Sequence, residues 1–199
     1  MLKHLSLSTL AAALIIGSAT LAPASATEAM QKSATVGGAV MLPTKNIIQN
    51  ASLSKDHTTL VTLIKSAGLE KTLEGTGPFT VFAPTNAAFS KLPAATLTDL
   101  QKPENQATLK QVLTYHVISG KFTAADLAKA AKDNGGIAKL KTVEGETLTV
   151  AETGSGKWQL TDSKGGMSLI TIADVAQSNG VIHVIDTVVQ PTKTASSMN

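Results

Sequence analysis

The 199-residue chain is 43% hydrophobic, enough for one packed core, yet only 16% of its residues are charged and 3% aromatic. Its formal charge is only +3 and all 17 basic residues are lysine, so the planar guanidinium fork that grips phosphate or guanine is missing and no nucleic-acid partner is expected. The absence of cysteine excludes disulfides, iron–sulfur clusters, thiolate nucleophiles and a lipid-modified N-terminal cysteine, so stability must come from packing.

At the N-terminus Lys3 and His4 precede the apolar run Leu10 to Ile16, and Ala24-Ser25-Ala26 supplies small residues at the cleavage positions. That order predicts a signal peptide over residues 1–26 and a secreted, periplasmic or cell-surface location. Gly17, Ser18 and Thr20 interrupt the run before it reaches the about 20 apolar residues a spanning helix needs, so no membrane span is expected. Residues 27–42 are small, polar and glycine-containing and read as a flexible lead-in, 43–191 as one domain, and 192–199 as a polar tail.

Within the domain, Thr44 reads as the N-cap of a helix over 46–51. A second helix follows Asp56, with Leu60, Leu63, Ile64 and Ala67 at helical spacing and Gly68 as its stop. Gly75-Thr76-Gly77-Pro78 is turn chemistry ahead of a strand from Phe79 to Ala83, closed by Pro84. Thr85 or Asn86 then caps a short helix carrying Ala88 and Phe89. Pro103 opens a further helix, where its missing N–H costs nothing, with Leu109, Val112, Leu113 and His116 on one face. Thr123 and Asp126 have capping-box spacing, and the helix they start ends before Asn134-Gly135-Gly136.

From Ile137 the period changes. Strands over 139–143, 147–150, 157–160 and 168–172 alternate with glycine turns and predict an antiparallel meander. Asn179-Gly180 suits a tight turn into a last strand over 181–189, apolar enough for a buried position. Helices in the first half and strands in the second make the class α+β.

The chemistry-bearing residues are sparse. His57, His116 and His183 lie far apart without an i,i+4 pair, so no metal site is expected, and His116 and His183 read as core rings bonded to backbone. There is no G-x-S-x-G elbow. Gly156-Lys157 is followed by Trp158 instead of Ser or Thr, and position 151 is Ala rather than Gly, which excludes a phosphate loop. Neither a catalytic residue nor a cofactor is expected. Asn50-Ala51-Ser52 matches a glycosylation acceptor triplet.

Three segments together resemble the fasciclin domain family: Thr76 to Phe89 (TGPFTVFAPTNAAF), Tyr115-His116-Val117, and Asn179 to Asp186 (NGVIHVID). The resemblance covers about residues 43 to 191. It implies a compact β-sandwich or wedge of two sheets flanked by several short helices, in a non-enzymatic adhesion or surface-interaction module that meets a cell-surface or matrix component. A carrier of an apolar small molecule such as a carotenoid is the alternative, since some relatives bind carotenoids. A monomer is expected. The family's interaction motifs fall on Tyr115 and His116, and on Asp174 and Val175. Here Ile172-Ala173 stand where animal members have Glu-Pro, and Val175 stands for Ile. Thr85, Asn86, Asn179, Gly180 and His183 match the family pattern in positions that a structural role explains.

Overall fold

The computed structural model describes residues 33–192, so the expected signal peptide lies outside the described residues. Order begins earlier than the sequence suggests. Ala34–Val36 (β1) and Ala39–Met41 (β2) pair as an antiparallel hairpin across Gly37-Gly38, both at positive φ. This corrects the flexible lead-in for residues 34–41, because Val36 and Met41 point inward and join the core.

Helices α1 (Ile47–Ala51), α2 (Thr58–Ser66) and α3 (Glu70–Glu74) follow. Asn46, not Thr44, caps α1: its side chain accepts from the Gln49 N–H, and the Gln49 side chain accepts from the Asn46 N–H. Next come β3 (Phe79–Pro84), α4 (Asn86–Ser90), α5 (Ala94–Leu100), α6 (Gln106–Tyr115), β4 (Val117–Ser119) and α7 (Ala124–Asp133). The described residues then continue through β5 (Ile137–Lys141), β6 (Thr147–Glu152), β7 (Trp158–Thr161), β8 (Met167–Gln177) and β9 (Gly180–Ile185).

Seven strands form one sheet in the order β4-β3-β9-β8-β7-β6-β5. Every pairing is antiparallel except β3 with β9, which run parallel in register from Phe79 opposite Gly180 to Pro84 opposite Ile185. The two edges nearly meet: Val143 N–H donates to the Val117 carbonyl at 2.8 Å, and Ile118 bridges to Thr142. Strand β8 is long enough to serve both halves of this wedge, and its register against β9 shifts twice, at Ile170/Ile172 and Ile172/Val175.

The two-residue side-chain period of β3 and β9 divides the interior into two cores. Val81, Ala83, Ile182 and Val184 face one way, against helices α1 to α6. Phe82 and Ile185 face the other way, into a second core with Tyr115, with Leu127 of α7, and with Leu140, Leu148, Val150 and Leu160 of the meander. Both faces of β9 are therefore covered, which explains a strand of continuous apolar character.

Candidate functional site

Family-motif residues are spread along the central β3–β9 pair, with Asn179 and Gly180 at one end and Thr85 and Asn86 at the other, and most of them turn inward. Tyr115 ends α6 with 0% exposure, and its hydroxyl donates to the Thr147 carbonyl at 3.3 Å and accepts from Ser163 N–H at 3.0 Å. Burial pushes its phenol pKa up, with the Ser163 hydroxyl and N–H opposing. The next residue, His116, is 2% exposed. Its Nδ1 lies 2.7 Å from the Val112 carbonyl and its Nε2 accepts from Val189 N–H at 3.3 Å. A carbonyl can only accept and an N–H can only donate, so these partners define a neutral ring protonated at Nδ1. Desolvation lowers its pKa to about 4.

His183 repeats this arrangement on β9. Nε2 meets the Phe122 carbonyl at 2.8 Å, Nδ1 accepts from Asp174 N–H at 3.3 Å, and the ring stacks on Phe82 with centroids 5.5 Å apart. Its pKa is also lowered, chiefly by burial. Two rings thus hold backbone segments from separate elements together. Tyr115 and His116 are anchors rather than exposed contacts, which corrects their assignment as interaction residues.

Asp174 and Val175 separate. They lie inside β8 rather than in a loop after it, at the second register shift. Asp174 is the one non-glycine residue at positive φ among the described residues, +59°. It bulges outward, and its Oδ1 accepts from Ala124 N–H at 2.7 Å, at the start of α7. The bulge turns Val175 inward to 1% exposure, so Val175 is a core residue and its assignment as a contact is corrected. Val175→Ala should cost about 2 kcal/mol, a lower Tm by about 4–8 °C, whereas Asp174→Ala should cost about 1 kcal/mol for the lost helix contact. Thermal melts of the two single variants check this. Equal melting temperatures would show that Val175 is not packed as described.

Asn179 fills three bonds in a buried setting. Its Oδ1 accepts from Ile47 N–H at 3.1 Å, and its Nδ2 donates to the carbonyls of Leu73 at 2.7 Å and Gly75 at 2.9 Å. It therefore joins α1 and α3 to the turn that starts β9. Thr85 caps α4 by accepting from Ala88 N–H at 3.2 Å. Asn86 reaches across to α2, where its Oδ1 accepts from Thr59 N–H at 3.0 Å and its Nδ2 donates to the Lys55 carbonyl at 2.8 Å. Helix α2 has no capping side chain of its own, so Asn86 supplies the cap from outside. Asn50, in the glycosylation triplet, is fully buried and bonds Leu42 and Gln177, which makes it inaccessible in the folded chain.

Concave surface lies elsewhere, in a region without a sequence signal. A cleft of about 290 Å³ opens between α5, α6, the β7–β8 turn and the segment after β9. Leu100, Val112 and Val188 give it an apolar lining, and Lys164 and Gln190 belong to its rim. Among the described residues no group of three or more histidine, aspartate or glutamate side chains is placed to hold a metal ion, and no helix is long and apolar enough to cross a membrane.

The fasciclin domain model matches residues 55–191. The chain belongs to the fasciclin domain family. Among relatives of this fasciclin domain, Protein sll1483 of Synechocystis sp. is 42% identical over 166 residues, covering 82% of the chain and 83% of that protein. Immunogenic protein MPB70 of Mycobacterium bovis is 36% identical over 115 residues, 58% of the chain and 51% of the relative. Transforming growth factor-beta-induced protein ig-h3 of Sus scrofa is 36% identical over 149 residues, 74% of the chain but 20% of that larger protein. A FAS1 domain pair from the insect cell adhesion molecule Fasciclin I shares the fold, with a TM-score of 0.57 at 21% identity over 76% of the chain and 52% of the pair. The sheet wedge with its short helices is thus the fasciclin fold in an α+β chain.

Proposed function

We propose that the protein is an exported, non-enzymatic surface-interaction module that attaches to a cell-surface or matrix component. The observation that supports this most directly is the inward use of its motif chemistry. Tyr115, His116, Asn179 and His183 spend their polar atoms on the protein's own backbone, which leaves recognition to the outer surface of a rigid scaffold. Of the family interaction positions named above, Asp174 is the exposed one and is the proposed contact. Export agrees with the signal-peptide pattern of residues 1–26.

Binding of the purified protein to intact cells and to immobilised matrix, compared with Asp174→Ala, tests the reading. Saturable attachment by the parent protein is the expected result. Loss of attachment in a variant that stays folded, its melting temperature lowered only by the few degrees expected from the lost Ala124 bond, would assign the contact to Asp174. No attachment to any surface would remove the proposal.

The cleft supports a second reading, carriage of an apolar small molecule. Its volume sits at the lower edge of the about 300–1,000 Å³ typical of ligand pockets, which suits a short ligand better than a long polyene. Visible absorption and native mass of the purified protein separate the two: colour or a copurifying apolar ligand favours the carrier, and a protein with neither favours the surface module.

A further inference from the structure

We propose that the cleft between α5, α6 and the β7–β8 turn is a binding site for a small amphipathic carboxylate, a carboxylic acid head on a short apolar body. This goes beyond the surface-interaction reading and does not depend on it. Three observations carry it.

The first is the lining. Leu100, Val112 and Val188 are core residues that also border the cleft, and Thr96 and Thr108 add hydroxyls beside them. Such a surface removes an alkyl body from water at about 25 cal/mol per Å² of apolar area covered.

The second is the charge left over. Among the described residues the one carboxylate lining the cleft, Asp99, is engaged by Lys102 at 2.6 Å. Lys164 has no carboxylate partner among the described residues: its ammonium rests 3.3 Å from the neutral amide oxygen of Gln190. An ammonium held only by an amide favours an incoming carboxylate, since a charge-assisted bond is stronger than the neutral one it supplements.

The third is that this rim is built rather than loose. Asp162 is buried, and its carboxylate accepts from the N–H groups of Lys164 at 2.9 Å, Gly166 at 2.7 Å and Gln190 at 2.8 Å. One carboxylate therefore fixes the β7–β8 turn and the segment after β9 to each other, and with them the two residues that form the polar rim. Preorganisation of this kind lowers the cost of ordering a site on binding.

The test uses the isotopically labelled protein titrated with sodium octanoate, followed by amide chemical shifts. Saturable shifts centred on Leu100, Val112, Val188 and Lys164 are expected. Lys164→Gln, which leaves the backbone bonds to Asp162 in place, should weaken binding about tenfold, and octanol should bind the parent about tenfold more weakly than octanoate. Thr108→Trp, which fills the cleft from α6, should abolish the shifts while the remaining spectrum shows an intact fold. The proposal is overturned by shifts that stay linear until octanoate micellises, by shifts centred elsewhere, or by equal affinities for octanoate in the parent protein and Lys164→Gln.

Discussion

Gly180→Ala is expected to destabilise the protein by at least about 4 kcal/mol and to leave little folded material at room temperature. Gly180 opens β9 directly opposite Phe79 of the parallel partner strand. A Cβ there would press into the Phe79 carbonyl oxygen and lie 2.8 Å from its carbonyl carbon and 2.9 Å from its nitrogen. These are backbone atoms and cannot rotate aside. Phe79 N–H is also tied to the Asn179 carbonyl at 3.0 Å, so the two strands cannot part locally without losing the central pairing. Gly154→Ala is the matched control, because its Cβ would meet nothing within 4 Å and its backbone is not at positive φ. It should stay within about 0.5 kcal/mol of the parent. Urea unfolding of both variants decides the matter, and a Gly180→Ala protein as stable as the control would refute the close approach.

Stability should also fall as pH drops from 6.5 towards 4. His116 has a folded pKa of about 4 against an ordinary value of 6.5. Above 6.5 the ring is neutral whether the chain is folded or not. Between 6.5 and 4 the unfolded chain takes up a proton that the folded chain refuses, so the stability present above 6.5 is lost progressively, about 3 kcal/mol from this ring. The cause is desolvation of the buried ring, which outweighs the opposing pull of the Val112 carbonyl and Asp162; a proton on Nε2 would also face the Val189 N–H, donor against donor. Burial lowers the pKa of His183 and His57 too, so both act in the same direction. His57 bonds Ser54 through Nδ1 at 2.9 Å, and its burial outweighs the opposing pull of the Ala83 backbone and Asp56. Asp126 works below this window. Its pKa is held under 3.8, chiefly by the Thr123 hydroxyl, so its contribution is lost only at lower pH. Urea unfolding between pH 7.5 and 4.5 should show a steady loss, and a flat profile would contradict the buried, neutral rings.

Local chemistry was legible in the sequence and non-local geometry was not. The capping box of Thr123 and Asp126, the cap at Thr85 and the glycine-separated meander follow from contacts a few residues apart, and each is present. The parallel pairing of β3 with β9 joins segments without a shared turn, so no spacing announces it. Asn86 was readable as a cap, but the helix it serves, α2, lies well before it in the chain. The hairpin at residues 34–41 buries only Val36 and Met41 on its strands, too few apolar positions for a pattern. Helix α5 has Leu100 as its one buried residue and went unread for the same reason. At Asp174 and Val175, alternation fails because a bulge without a glycine reverses the facing of the strand. The cleft joins α5, α6, a turn and the segment after β9, a meeting that exists only once both cores have formed.

The position of β9 also governs the order of events in synthesis. The strand that divides the two cores comes after both of its sheet partners, and its central partner β3 comes before most of the other strands. A growing chain can form helices and the β5–β8 meander early, since those contacts are short in sequence. It cannot close either hydrophobic compartment until residues 180–185 have emerged. Folding that waits on long-range pairing is slow, because loop closure comes before its reward. Until those residues emerge, the apolar surface that both cores later cover stays open to chaperones.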